Sequence, residues 1–237
     1  ETATAFAHGG FTRQTDVAWD QDAQGISFAG SGVLTKTLTG GENYGGGANY
    51  NAGEMTASLG GITAGYDLFE NKEEFDIDFL LMGSANYPQA DAQALANKLI
   101  SIAELRKDVV AFISPNRGTF LNDSAVGTGT INSAAAITSN VVGFYAPLTS
   151  SSFAVFDSGY KYMFDRFSDT FRYVPLNGDI AGTCARNDIN NFPWFSPAGT
   201  ARGGILNAVK LAYTPNQTQR DVLYGNCLLY TSDAADE

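Results

Sequence analysis

Few side chains in this 237-residue sequence stand at spacings that could do chemistry. Asp76 and Asp78 lie two apart in Phe75-Asp76-Ile77-Asp78-Phe79 and would share one face of a strand. Two carboxylates so placed could bind a metal or exchange protons with a substrate. No third ligand is near them in sequence, and a solvated strand face gives the same alternation, which is the reading adopted. His8 is the single histidine, so a serine or cysteine hydrolase would need it as its general base. It stands in a Gly-rich stretch, and the chain has no Gly-x-Ser-x-Gly elbow to present a nucleophile. Trp194 sits between Phe192 and Phe195 in a Pro-rich loop and could stack on a sugar or a nucleobase. Aromatic loops more often fill a core or a protein interface, where they bury large areas. The glycines at 40–41 and 45–47 are followed by no Gly-Lys-Ser/Thr and lack the GxGxxG spacing, so they read as turn or insertion loop rather than a phosphate cradle. Cys184 and Cys227 have no Cys or His at ligand spacing. No catalytic, cofactor-binding or metal residue is assigned, and no cofactor is implied.

Composition narrows the field. The hydrophobic fraction of 44% suits a folded chain with a real core, but only 16% of residues are charged. A surface sparing of charge suggests that a partner covers part of it. The formal charge of −11 and the lack of any basic run argue against nucleic-acid binding, which relies on Lys and Arg to displace counterions from phosphates. Residues 75–82 form the longest apolar candidate for a membrane span. They are under half of the ~20 residues a spanning helix needs and contain two aspartates.

The elements that would position these residues follow from periodicity. Residues 33–39 alternate as a β-branched strand before the glycine runs, and residues 62–69 suit a short helix. A strand at 75–82, a helix whose Ala92, Leu95, Leu99 and Ile102 share one face, and a buried strand at 109–113 make a βαβ unit with parallel pairing. Pro88 and a cap candidate in Asp91 mark the helix start, while Lys98, Arg106 and Lys107 fall off the apolar stripe or near its end. A second helix within 131–145, stopped by Pro147, leads to a third strand at 153–156. Residues 161–165 and 170–174 read as a β-hairpin joined by Arg166-Phe167-Ser168-Asp169. A helix at 179–186, a strand at 205–211 and a helix opened by Thr214-Pro215-Asn216-Gln217 as a capping box complete the pattern.

The last eleven residues, Cys227 to Glu237, match the conceptual translation of a transposase-type sequencing adapter and are set aside as a non-native tail. They are expected to take no part in the fold, and the natural sequence is expected to continue past Asn226. The expected organisation is a Gly-rich β or insertion region at 1–61, an α/β core at 62–226 and the tail at 227–237.

A set of ordered motifs carries a resemblance. Phe156-Asp157-Ser158-Gly159-Tyr160-Lys161-Tyr162-Met163-Phe164-Asp165 leads through Thr170-Phe171-Arg172-Tyr173-Val174-Pro175-Leu176 to Asn177-Gly178-Asp179-Ile180-Ala181-Gly182 and Cys184-Ala185-Arg186-Asn187-Asp188. Ser196-Pro197-Ala198-Gly199, Arg202-Gly203, Val209-Lys210-Leu211-Ala212 and Gln219-Arg220-Asp221 follow, with Leu38-Thr39-Gly40-Gly41 upstream. Together they resemble the tail sheath proteins of contractile, T4-like phages, collinearly over 62–226 and loosely before. The resemblance implies a subtilisin-like α/β core without proteolysis. It also implies a structural subunit of the virion, assembled in the host cytoplasm, whose stacked rings polymerise helically around a tail tube protein and contract to drive the tube through the host envelope. Its partners would be copies of itself and the tube, with no nucleic acid and no membrane insertion. The alternatives are a hydrolase of the same fold and a ligand-binding module built on the Phe192–Phe195 loop.

Overall fold

Phe75, Ile77 and Phe79 turn partly inward while Asp76 and Asp78 face solvent, so the alternation at the start of the first core strand does what its pattern demands. The computed structural model describes residues 7–8, 11–12, 58–84, 87–122, 130–167, 169–192, 194–199, 202–226 and 228. Two compact units divide the chain, Glu1–Glu42 and Asn43–Glu237. In the first, Ala7–His8 (β1) pairs antiparallel with Phe11–Thr12 (β2). The His8 side chain, the strand expected at 33–39 and the glycine runs at 40–47 lie outside the described residues.

Among the described residues of the second unit the helix Leu59–Asp67 (α1) comes first, extended by a 3-10 turn at Leu68–Glu70. It starts three residues before the expected position because Ser58 caps it, its Oγ accepting from the Gly61 N–H at 3.1 Å. Phe79–Leu81 (β3), Val110–Ile113 (β4) and Ala154–Phe156 (β5) form a parallel sheet in the order β3-β4-β5. The parallel βαβ unit expected from the sequence is therefore present. Its first strand, Phe79–Leu81, is shorter than the expected 75–82, since residues 75–77 do not join the ladder.

The helix Gln89–Arg106 (α2) connects β3 to β4, and Ala92, Leu95, Leu99 and Ile102 on its inner face are fully buried. Pro88 occupies the cap position, so Asp91 is not the cap. It stands in the first turn, where a carboxylate favours the helix dipole. Arg106 does more than end the helix. Its buried guanidinium donates to Asp108 at 2.9 and 3.1 Å, to the Phe69 carbonyl at 2.8 Å and to the Phe75 carbonyl at 2.9 Å. One side chain thus ties the end of α2 to the segment preceding β3. Lys98 bridges Asp67 and Glu70 at 2.5 and 2.6 Å and fastens α1 to α2.

The helix Ala134–Tyr145 (α3) is capped by Ser133 and buries Ile137, Val141 and Phe144. Three residues after β5 the chain enters an antiparallel sheet of Tyr160–Asp165 (β6), Thr170–Pro175 (β7) and Lys210–Leu211 (β8), in the order β7-β6-β8. The expected hairpin is present, with Asp169 at φ 49° closing its turn, a left-handed conformation that Asp tolerates. The helix Asn177–Asn190 (α4) is longer at both ends than the expected 179–186.

Two expectations near the C-terminus are corrected. Only Lys210–Leu211 of the strand expected at 205–211 joins a sheet. Asn207 adopts φ 56°, and the Leu206 carbonyl accepts from Lys161 Nζ at 3.0 Å instead of serving a ladder. The capping box lies two residues later than expected. Asn216 Oδ1 accepts from the Gln219 N–H at 3.0 Å, and Gln219 Oε1 accepts from the Asn216 N–H at 2.9 Å. These bonds start the helix Gln217–Gly225 (α5) and leave Pro215 outside it. Beyond α5, Leu228 is only 4% exposed, joins the hydrophobic core and donates its N–H to the Leu223 carbonyl at 3.1 Å. The expectation that residues 227–237 take no part in the fold therefore fails at Leu228. The others of that segment lie outside the described residues.

Candidate functional site

In a parallel sheet the C-terminal strand ends are where α/β proteins place their chemistry, because loops and helix N-termini converge there. Here that edge holds a closed polar joint. The Ser114 hydroxyl, just past β4, donates to Asp157 Oδ2 at 2.6 Å, just past β5. Ser114 Oγ accepts from the Asn177 backbone N–H at 3.0 Å and from Asn177 Nδ2 at 3.1 Å, at the first turn of α4. Asn177 Nδ2 also donates to the Gly83 carbonyl at 2.9 Å, after β3. The Gly159 N–H donates to Asp157 Oδ1 at 3.1 Å. The Tyr145 hydroxyl shares its proton between the carbonyls of Asp157 at 2.6 Å and Ile113 at 2.8 Å. All three strand ends, α3 and α4 meet at this point.

Electrostatics mark the joint as buried rather than reactive. Burial pushes the Asp157 carboxyl up to about 7, the bonds from Ser114 and Gly159 opposing it and the charge of Asp179 adding to it. Burial likewise raises the Tyr145 and Tyr160 hydroxyls well above the ordinary phenol value. A serine beside a carboxylate could suggest a nucleophile. Ser114 and Asp157 are almost wholly excluded from solvent, however, and Ser114's one proton is committed to Asp157 by its two incoming donors. The arrangement can hold elements together; it offers no approach for a substrate.

The exposed chemistry lies elsewhere and is mostly aromatic. On one face of the antiparallel sheet Tyr162 stands opposite Tyr173 and Phe164 opposite Phe171, with ring centroids 4.6 and 5.1 Å apart. Lys210 Nζ lies 5.1 Å from the Tyr162 ring centroid on the same face. In the loop after α4, Phe192 and Trp194 stack at 4.8 Å and 9°, and Trp194 is 74% exposed. That loop lies at the surface and does not fill the core, as one part of its expected reading had it. The Arg202 guanidinium lies 5.5 Å from the Phe195 ring centroid. An open groove of about 470 Å³ is lined by Val142, Tyr145, Ala146, Leu148, Phe156 and Leu228, among others, beside edge strand β5. Asp76 and Asp78 are both exposed, and no group of three His, Cys, Asp or Glu among the described residues could hold a metal. Burial raises the Cys184 thiol, which is half covered. No helix among the described residues is long and apolar enough to cross a membrane.

No protein-family profile matches the chain. It is 36% identical over 202 residues to the tail sheath protein of Enterobacteria phage T4, covering 82% of this chain and 28% of that protein. It is 32% identical over 232 residues to the tail sheath protein of Vibrio phage KVP40, covering 86% of this chain and 33% of that one. The tail sheath protein of Salmonella phage ViI is 31% identical over 128 residues, 54% of this chain and 19% of its own length. The chain belongs to the tail sheath protein family. It spans about a third or less of the length of these relatives.

The motifs that suggested a tail sheath protein now have structural reasons. Phe156-Asp157-Ser158-Gly159-Tyr160 is the joint and the corner between the two sheets. Leu176-Asn177 docks α4 on that joint, with the Asn177 amide spanning two of its partners. In Arg202-Gly203, a Cβ on Gly203 would stand 3.0 Å from the Gly199 carbonyl oxygen, so any larger residue would need that backbone to give by a few tenths of an ångström. Sequence reasoning missed the joint and the Arg106 clamp because their members lie far apart in the chain. A polar residue directly after an apolar strand, as Ser114 follows Ile113 and Asp157 follows Phe156, was the signal available.

Proposed function

We propose that this chain forms part of a structural subunit of a contractile phage tail sheath, one that polymerises around the tail tube and contracts to drive it through the host envelope. Its collinear similarity to the T4 protein, 36% identity over 202 residues, carries this reading. The parallel sheet with α2, α3 and α4 on it is the portion we assign to the subtilisin-like core, its polar joint serving cohesion and not hydrolysis. Residues 1–61 are assigned to a Gly-rich β or insertion region, 62–226 to the core, and 227–237 to an appended tail whose Leu228 packs onto that core. The partners in this reading are further copies of the subunit and the tube protein, in a virion tail assembled in the host cytoplasm. No enzymatic step and no cofactor enters it.

Electron microscopy of virions from the encoding phage tests the proposal. Antibodies raised against this chain should decorate the tail shaft along its length, over a shorter length after contraction. Decoration restricted to the capsid or the tail tip would sink the reading, as would virions with undecorated tails.

A further inference from the structure

We propose that the aromatic, cationic face of the β6–β7–β8 sheet docks on the acidic segment at residues 73–78 of a second copy of this chain. The inference rests on the sheath reading and adds to it the two surfaces that meet. The first surface follows from strand register. Tyr162 opposite Tyr173, Phe164 opposite Phe171, and Lys210 opposite Tyr162 put four rings and one ammonium on the same side of the sheet. The carboxylate of β6, Asp165, lies on the other side and pairs with Arg172 at 2.9 Å. Toward the core the rings are partly covered, but Phe164 and Phe171 are 44% and 41% exposed. At the hairpin tip Arg166 is exposed and Phe167 is 94% exposed. Rings stacked in water beside cations are the composition of an interface centre, not of a solvated surface.

Charge complementarity identifies what covers it. The chain is acidic overall, yet residues 160–226 hold seven of its 14 Lys and Arg and only five of its 25 Asp and Glu. The counterpart lies at the other end of the same unit. Glu73, Glu74, Asp76 and Asp78 are all exposed in the segment that precedes edge strand β3. Lys98 is committed to Asp67 and Glu70 and Arg106 to Asp108, so the exposed Lys72 at the head of the segment leaves residues 72–78 with four carboxylates against one ammonium. The acidic segment lies at the N-terminal edge of the parallel sheet, and the hairpin sheet follows from the C-terminal edge. Two different complementary surfaces at opposite ends make a heterologous contact, which repeats from copy to copy instead of closing as a two-fold dimer.

Sedimentation velocity on the 237-residue chain tests the contact, with circular dichroism confirming that each variant is folded. The wild type should self-associate with rising concentration and dissociate as salt is raised. Arg166→Glu with Lys210→Glu should weaken association at least tenfold, and Glu73→Lys with Asp78→Lys should do the same. An equimolar mixture of the two variants should recover association to within about threefold of wild type, because each supplies the surface the other lacks. If either reversed pair fails to fold, the neutral pair Arg166→Gln with Lys210→Gln replaces it and should weaken association at least threefold. A monomeric wild type, reversals without effect, or a mixture that does not recover overturns the contact. Such a failure with decorated tails in electron micrographs removes this interface alone, whereas undecorated tails remove the sheath reading itself.

Discussion

Replacing Ser114 by Ala should cost about 2–6 kcal/mol of stability, a magnitude that follows from what the hydroxyl serves. Ser114 Oγ gives one hydrogen bond to Asp157 Oδ2 and receives two from Asn177. In the alanine variant Asn177 Nδ2 keeps the Gly83 carbonyl, but Asp157 Oδ2 and the Asn177 backbone N–H lose the partners they have here. Each buried polar group left without a partner costs about 1–3 kcal/mol, and there are two. The joint adds a pH signature. Asp157 rises from its ordinary value of 3.8 to about 7, so the folded state holds this proton more tightly than the unfolded state. The stability it contributes is complete in acid and is lost as pH climbs from about 4 through about 7, roughly 4 kcal/mol in all at 1.36 kcal/mol per unit. Urea unfolding followed by circular dichroism, at about pH 5 and about pH 8, reads both effects. Asp157→Asn should remove most of the loss on going to the higher pH. Ser114→Ala should enlarge it, since the serine bond opposes the rise. A Ser114→Ala cost below about 0.5 kcal/mol, or a wild type and Asp157→Asn variant with the same pH profile, would refute the account.

Leu99→Ala removes a fully buried side chain from the face of α2 and should cost about 2–5 kcal/mol in the same assay. Arg106→Lys keeps the charge but cannot span Asp108 and the carbonyls of Phe69 and Phe75 together; a loss of about 1.5–3 kcal/mol is expected, read as a lowered urea midpoint. Asn216→Ala deletes half of the capping box and should lower stability by about 1 kcal/mol, whereas Thr214→Ala, at the position the sequence pattern first suggests, should change little.

Local rules made the parallel sheet and the hairpin legible. Strands of β-branched and aromatic residues, a helix with a clean apolar stripe and a four-residue connection each fit one structure only. Errors arose where two local signals compete. Residues 205–211 have strand composition, but Asn207 accepts a left-handed conformation and Lys161 takes a carbonyl the ladder would need. Thr214 and Asn216 are both good caps, each with a Gln three residues ahead, and the reciprocal bonds form between Asn216 and Gln219. The polar joint was legible only as single polar residues, Ser114 and Asp157, each following an apolar strand. Ser114 is 43 residues from Asp157 and 63 from Asn177, and no periodicity links groups that only the folded sheet brings together. The docking face was half visible: its aromatic residues stood in the hairpin pattern, but their shared side depended on register.

The corner Asp157-Ser158-Gly159 also has a mechanical meaning. Only these three residues separate β5 from β6, and side chain or backbone of the first and last is bonded within the joint. A tension applied to the hairpin has no slack segment to straighten and passes directly into β5. There it would act along the strand, in line with its parallel partner β4, so the rungs between the two strands would be strained together and not peeled one at a time. The hairpin and the core are coupled as a stiff lever and its mounting.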